Sequence, residues 1–325
     1  MSDLEPTATP WRQYVLLALQ VLVSVGLLSW VLSGVDGDAL LVAIAGADPW
    51  LLLAALVILP THIIANSIRW RYVWPGREHG GGETRPSLNL LTRLTIVGLF
   101  FNQVLPAPIG GDAVRTFGAK RLGCNLYAAA LSILIERGWG LIAITLMILP
   151  SLPFLFGENL PVGWSPVMIA TALTITAVIG LFASFFILLW VSYTVETRLQ
   201  KPLLVTLLKQ GRDTTLRPRP AIVLFLLSVL GQIPPIIAMV LIALALPGEL
   251  TAMNALMIAP LAMFATVIPL SFAGWGVRET IVVAALASQG VDSSQALALS
   301  LVFGLQLLIL SLPGAVLWAG LRKAD

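Results

Sequence analysis

Six ionisable side chains stand inside otherwise apolar stretches of this chain: Asp112, Arg115, Glu136, Arg137, Arg278 and Glu279. Their formal charges cancel, three against three. A charge isolated at the centre of a bilayer costs roughly 3 kcal/mol or more, so each needs a partner or access to water. Two of the arginines recur in one pattern. Pro106-Ala-Pro-Ile-Gly-Gly-Asp-Ala-Val-Arg115 and Pro269-Leu-Ser-Phe-Ala-Gly-Trp-Gly-Val-Arg278 align without gaps, matching at proline, at Gly111 with Gly274, at Val114 with Val277 and at arginine. Guanidinium forks and free backbone amides on glycine-flanked helix starts suit phosphate oxygens. Arg115 and Arg278 are therefore expected to hold a phosphate group. Asp112, Glu136 and Glu279 would balance them in the empty site, contact a cationic headgroup, or carry a coupling proton. The competing reading makes all six a permanent ion-pair network that holds the segments in place.

The elements that position these residues are membrane helices. With 58% hydrophobic and 11% charged residues, the chain is excluded from the soluble globular class. Apolar runs of about 20 residues, each long enough to cross a bilayer, cover Gln13 to Ser33, Trp50 to Asn66, Leu126 to Leu149, Ser165 to Val191, Ala221 to Leu246 and Gln295 to Leu321. They are apolar all round, which selects helices over barrel strands. The first, which has neither a basic leader nor a small-residue cleavage site, is expected to be retained as an anchor. Glu136 stands ten residues into its run, about 15 Å deep at 1.5 Å per residue.

Charge sets the expected topology. Of the 19 basic residues, 16 flank the apolar runs at Arg12, Arg69 to Arg93, Lys120 and Arg121, Arg198 to Arg219, and Arg322 with Lys323. The alternate connections, Gly34 to Pro49, Pro150 to Trp164, Pro247 to Thr251 and Gln289 to Ser294, hold acidic residues and neither lysine nor arginine. That asymmetry predicts a multi-pass protein of a bacterial-type inner membrane with both termini cytoplasmic. The segment between Arg93 and Lys120 is too short for two crossings, so a re-entrant hairpin over about 88–122 is expected from the cytoplasm. Its irregular tip spans Asn102 to Asp112. A second hairpin, about 252–288, is expected from the periplasm.

The expected fold is thus an all-α polytopic protein of two inverted halves, 1–157 and 158–325. Each half reads span, span, hairpin, span, giving six full spans and two hairpins. Inverted halves with discontinuous segments meeting near the midplane are a transporter architecture. Pro106, Gly110, Gly111, Gly274 and Gly276 supply the hairpin backbone. Asn102, Gln103, Gln232 and Gln306 either extend the polar site or bridge helices, and bridging is read first, as it is for His62; Asn102 and Arg137 are nonetheless expected among the substrate-binding residues with Asp112, Arg115, Glu136, Arg278 and Glu279. Pro234-Pro235 is expected to kink its helix. Trp50, Trp70, Trp74 and Trp164 read as interfacial anchors, and Trp139 and Trp275 as candidate cavity walls. Val195 to Pro220 reads as a basic interfacial helix or as plain positive-inside retention. With one cysteine, Cys124, and two histidines, neither a disulfide nor a zinc-type cluster is expected. The sequence has no phosphate-binding loop, zinc-hydrolase motif or nucleophile elbow. Movement without ATP hydrolysis is expected, with no metal, cofactor or nucleic acid.

The run Phe101-Asn-Gln-Val-Leu-Pro-Ala-Pro-Ile-Gly-Gly-Asp-Ala-Val-Arg115, then Glu136-Arg137, then Ile268-Pro-Leu-Ser-Phe-Ala-Gly-Trp-Gly-Val-Arg-Glu279, resembles the flippase-like family of the lysylphosphatidylglycerol synthase transmembrane region. The resemblance covers nearly the whole chain. It implies a protein that moves a lipid between leaflets, with Asn102, Pro106, Gly110, Gly111, Asp112, Arg115, Glu136, Arg137, Gly274, Gly276, Arg278 and Glu279 at motif positions. Members often carry Gly-Glu where this chain has Gly111-Asp112, which keeps the charge and shortens its reach. No sequence through Asp325 resembles the synthase's soluble aminoacyl-transferase domain, so synthesis of an aminoacylated lipid is not expected. Hopanoids and polyprenyl-linked sugars are associated with stand-alone relatives. An anionic or phosphate-bearing lipid ranks first because a hopanoid without phosphate leaves Arg115 and Arg278 unexplained. Two other classes use the same residues: an accessory subunit beside lipid-synthesis enzymes, and an intramembrane transferase with Glu136 or Glu279 as base.

Overall fold

Aspartates punctuate this chain. Asp36, Asp48 and Asp292 each accept a hydrogen bond from the backbone amide two residues on, at 2.9, 2.8 and 2.9 Å. Each thereby satisfies amides that a helix start leaves unpaired. The residues that mark the arginine-free connections by charge are thus also the starts of helices. A computed structural model describes residues 10–105, 110–152, 209–267 and 271–322, and among these it contains helices and no strand.

The first helix, α1 (Pro10–Ser33), is followed by α2 (Gly37–Ala45), which Asp36 caps. The expected connection Gly34 to Pro49 is therefore largely helical, and the two helices meet at 95°. Next come α3 (Pro49–Tyr72), α4 (Leu88–Val104), α5 (Gly110–Arg121) and α6 (Leu126–Ile148). Beyond these lie α7 (Pro218–Ala245), α8 (Ala252–Ala265), α9 (Val277–Ala287), α10 (Ser293–Ser311) and α11 (Pro313–Arg322). Four helical stretches, α3, α6, α7 and Ser293–Gly320, are long and apolar enough to cross a membrane, and the bent α1–α2 pair makes a fifth if it counts as one span. The span expected at Ser165 to Val191, most of the basic segment Val195 to Pro220, and Trp164 lie outside the described residues.

The connections gather at two ends. Asp48 N donates to Ala245 O at 2.9 Å, Glu249 N donates to Gln295 Oε1 at 3.2 Å, and Ser294 Oγ reaches Asp36 O at 3.5 Å. Three arginine-free connections are joined there. At the other end Asn125 N donates to Gly80 O at 2.7 Å, and His79 Nε2 lies 3.9 Å from Asp213 Oδ2, which joins the arginine-bearing connections. The charge asymmetry of the sequence is thus a property of the folded molecule.

Two helix pairs turn back within the fold. Helix α4 leaves the arginine-bearing end and α5 returns to it. Helices α8 and α9 leave from and return to the acidic end. The α4–α5 crossing needs glycine on both sides. A Cβ on Gly111 would lie 2.0 Å from Gly98 O, and one on Gly98 would lie 3.0 Å from Gly111 O, so the backbones are in contact. The α8–α9 turn uses positive φ at Gly274 (82°), Gly276 (88°) and, unusually for a residue with a side chain, Ala273 (50°). It is tied to α1, where Ser24 Oγ accepts from Phe272 N at 2.7 Å. Pro106 and Pro269 lie outside the described residues.

One core packs α7, α8, α9 and α10 against α2 and α3 around Leu59, Met239, Ile258 and Leu297. A second packs α3, α4 and α6 around Trp70, Leu91 and Ile133. Trp70 and Trp74 belong to that second core, which corrects their expected place at the interface. Their rings also meet each other at 5.8 Å. Trp50 is 77% exposed, as an anchor would be.

Candidate functional site

Helix α3 runs to Tyr72, past the expected end at Asn66, and its last turns carry Arg69 inward. Arg69 is 4% exposed and belongs to the site, not to the surface charge to which positive-inside counting assigns it. Its Nε donates to Glu136 Oε1 at 3.1 Å and its Nη2 contacts the same oxygen. The other oxygen of Glu136 accepts from Arg115 Nη1 at 3.1 Å. Arg115 Nη1 also lies 3.6 Å from Asp112 Oδ1, and Asp112 Oδ2 pairs with Arg137 Nε. Among the described residues, three guanidinium groups and two carboxylates therefore form one connected cluster.

Small residues make the space for it. A Cβ on Gly140 would come within 3.2 Å of Arg69 Nη2, and one on Gly98 within 2.9 Å of Arg115 Cδ. The Arg115 guanidinium lies 4.2 Å from the centre of the Trp70 ring, a cation–π contact that replaces part of its lost hydration. Asn102 Oδ1 accepts from Gly111 N at 2.9 Å and so caps the start of α5, one turn before Arg115.

The cluster forms one wall of a cavity of about 290 Å³. Both turning pairs border it, α4 through Gly98, Asn102 and Gln103, and the α8–α9 turn through Ser271, Ala273 and Gly274. The remaining wall is mainly apolar. Leu141 lines the cavity and is also 37% exposed, so one edge reaches the outer apolar surface of α6.

Bridging polar residues hold the walls in register. Pro235 has no amide hydrogen to offer Gly231 O, four residues back. His62 Nδ1 fills that vacancy by donating to Gly231 O at 2.5 Å. Because the carbonyl can only accept, the neutral ring must carry its proton on Nδ1, and Nε2 then accepts from Asn66 Nδ2 at 2.9 Å. Gln232 Nε2 donates to Gly140 O at 3.4 Å, and Gln306 Nε2 to Leu52 O at 2.9 Å. Helix α7 continues through Pro234-Pro235 from Pro218 to Ala245.

The remaining expected site residues sit elsewhere. Arg278 is 1% exposed, does not line the cavity, and donates from Nε to Glu279 Oε1 at 3.0 Å and to Ser300 Oγ at 3.2 Å. Its guanidinium stacks on Trp275 at 4.8 Å. Glu279 Oε2 accepts from Gly276 N at 2.7 Å, so both its oxygens are engaged. This pair fastens the α9 start to α10, where a Cβ on Gly304 would lie 2.1 Å from Arg278 Nη2. The two arginines of the repeat are thus placed apart, Arg115 at the cavity and Arg278 away from it. Arg69 joins Arg115 at the cavity, and the six expected charges divide into a pair, Arg278 with Glu279, and a cluster that Arg69 completes to five residues. A basic residue three positions past Asn66 on a continuing helix was the available signal for Arg69. Among the described residues, no group of three or more histidine, cysteine, aspartate or glutamate side chains is placed to hold a metal.

The family model described as the lysylphosphatidylglycerol synthase TM region matches residues 17–314. The chain belongs to that family. The match takes in every described residue of the cluster and both turning pairs. With the apolar helices, it makes the protein a multi-pass membrane protein. No curated protein matches the chain.

Proposed function

We propose that this family member is a lipid transporter of the flippase type, moving a polar, anionic, phosphate-bearing lipid between the leaflets of a bacterial-type inner membrane without ATP hydrolysis. The observation that carries the reading is the set of three arginines, Arg69, Arg115 and Arg137, lining a cavity bordered by both turning pairs, with Leu141 at its outer edge. A phosphate accepts from such guanidinium groups where water is scarce, and the lipid tails stay in the bilayer. The arginine-bearing end faces the cytoplasm, following the positive-inside rule. The halves 1–157 and 158–325 act as inverted repeats whose re-entrant hairpins alternate access to the cavity. Transport is favoured over transferase chemistry because both oxygens of Glu136 and of Glu279 are occupied, leaving neither free as a base.

The test is reconstitution of the full chain in vesicles carrying a fluorescent anionic phospholipid, with a membrane-impermeant quencher added outside. Wild-type protein is expected to expose the inner-leaflet probe faster than empty vesicles. Arg115→Gln is expected to slow this at equal incorporation. Equal quenching kinetics with and without wild-type protein would overturn the transport reading.

A further inference from the structure

Helix α1 is attached to the rest of the protein by a narrow stripe. Among its described side chains only Ser24 and Val31 are buried, while Val15, Leu19, Leu22, Val25 and Trp30 are exposed, as a lipid-facing side would be. Val31 enters the core that holds Leu59 and Leu297, close to the 95° bend into α2. Ser24, two turns earlier, meets the α8–α9 turn. That contact involves the backbone on both sides. Ser24 Oγ accepts from Phe272 N at 2.7 Å, and a Cβ on Gly276 would lie 3.0 Å from Ser24 O and 2.9 Å from Leu27 Cβ.

The turn is a thin wall between α1 and the cavity. Ser271, Ala273 and Gly274 line the cavity, and Phe272 and Gly276 touch α1. Ala273 is held at φ 50°, a conformation that a residue with a side chain keeps only where its surroundings impose it. Two of the restraints are internal. Arg278 fastens the α9 start to Ser300 of α10, and Gly274 presses on the end of α8, where its Cβ would lie 3.0 Å from Thr266 Cα. The third restraint is α1, and it can be withdrawn. Three residues, Gly34 to Asp36, join α1 to α2, and a Cβ on Gly37 would meet nothing within 4 Å. Helix α2 itself stays fixed through buried Leu40 and Ala43. Large motions of an element are absorbed at such short links next to a fixed neighbour.

We infer that α1 is a strap over the cavity. Docked through Ser24, it holds the α8–α9 turn in place as a closed wall. Pivoting about Gly34 to Asp36, it releases the turn and opens the cavity sideways to the bilayer on the α1 side. This rests on the lipid-transport reading and names the element that regulates entry to the same cavity.

The test locks the strap. The Ser24–Phe272 contact places the two Cα atoms no more than about 7 Å apart, within reach of a disulfide. In a Cys124→Ala background, Ser24→Cys with Phe272→Cys is expected to cross-link on treatment with copper phenanthroline. In the vesicle assay the oxidised form is expected to expose the fluorescent phospholipid at least tenfold more slowly than the reduced form, with no effect of oxidant on either single cysteine. Failure to cross-link in folded protein, or equal rates before and after complete cross-linking, would overturn the strap. A second measurement does not depend on transport. Spin labels on Leu22→Cys of α1 and Leu256→Cys of α8, both exposed, are expected to give two distances. Ser24→Ala is expected to enrich the longer one about fivefold, the scale of one hydrogen bond. A single distance, unchanged in Ser24→Ala, would overturn the strap even if the protein transports lipid. Two distances that shift in Ser24→Ala, in a protein that exposes no probe, would leave the strap standing and remove the transport reading.

Discussion

Replacing Arg69 by glutamine tests whether the cluster is one electrostatic unit. In the wild type Glu136 is held on one oxygen by Arg69 and on the other by Arg115, with both side chains almost fully buried. Breaking a buried ion pair by removing one partner costs about 3–5 kcal/mol, because the remaining charge keeps its desolvation penalty. Glu136 retains Arg115 at 3.1 Å, which places Arg69→Gln at the lower end, about 3 kcal/mol. The same change lowers the cluster's charge by one. Adding Glu136→Gln removes the stranded carboxylate and restores the net charge, leaving Arg115 and Arg137 against Asp112. The double variant should therefore be more stable than the sum of the singles implies, with a coupling of about 1–3 kcal/mol. The assay is thermal unfolding of the purified protein in detergent. A loss of about 3 kcal/mol corresponds to a drop of roughly 4 °C for a chain of 325 residues. A single variant within ~1 °C of wild type, or strict additivity in the cycle, would return Arg69 to the surface role that its sequence position suggests.

Gly111→Ala is expected to disrupt the α4–α5 crossing, since the added Cβ would stand 2.0 Å from Gly98 O and 2.6 Å from Asn102 Oδ1. The loss should be about 3 kcal/mol or more, read as reduced monodisperse yield and a lowered unfolding temperature. Glu279→Gln is expected to destabilise the protein by a similar about 3 kcal/mol through the stranded Arg278, yet to leave the rate of probe exposure in vesicles unchanged at equal incorporation of folded protein. A changed rate would put Arg278 and Glu279 back in the binding site. Cys124, 3% exposed at the arginine-bearing end, has its thiol pushed up to about 11 by burial. Maleimide labelling at neutral pH should accordingly be slow in folded protein and rise with unfolding. Because this is the chain's single cysteine, fast labelling of folded protein would contradict that burial.

Much of the architecture was legible in the sequence because it rests on local quantities. Apolar length and uniformity mark membrane helices without reference to neighbours, as in α6 and α7, and the distribution of arginine anticipates the two ends at which the connections meet. The glycine-rich motifs mark where backbones approach or turn, at Gly111 against Gly98 and at Gly274 and Gly276. The buried carboxylates Asp112 and Glu136 stand out because charge in an apolar run demands a partner. The sequence also reads Asn102, Gln232, Gln306 and His62 as bridges between helices, and each makes such a bond.

Which charge pairs with which is a different kind of quantity, settled by helices brought together from distant parts of the chain. Arg115 and Arg278 occupy the same motif position, yet Arg278 closes on its own neighbour Glu279 and on Ser300 of α10, while Arg115 shares Glu136 with Arg69. Arg69 looks like surface charge because a hydropathy profile ends its span at Asn66. Only the packing of α4, α6 and α7 around the last turns of α3 buries it, with Gly140 leaving room for its guanidinium. Composition and pattern determined that this is a helical membrane protein with charges it must neutralise internally. Tertiary packing decided which of those charges remain partly unpaired, because that depends on side chains meeting across the interior.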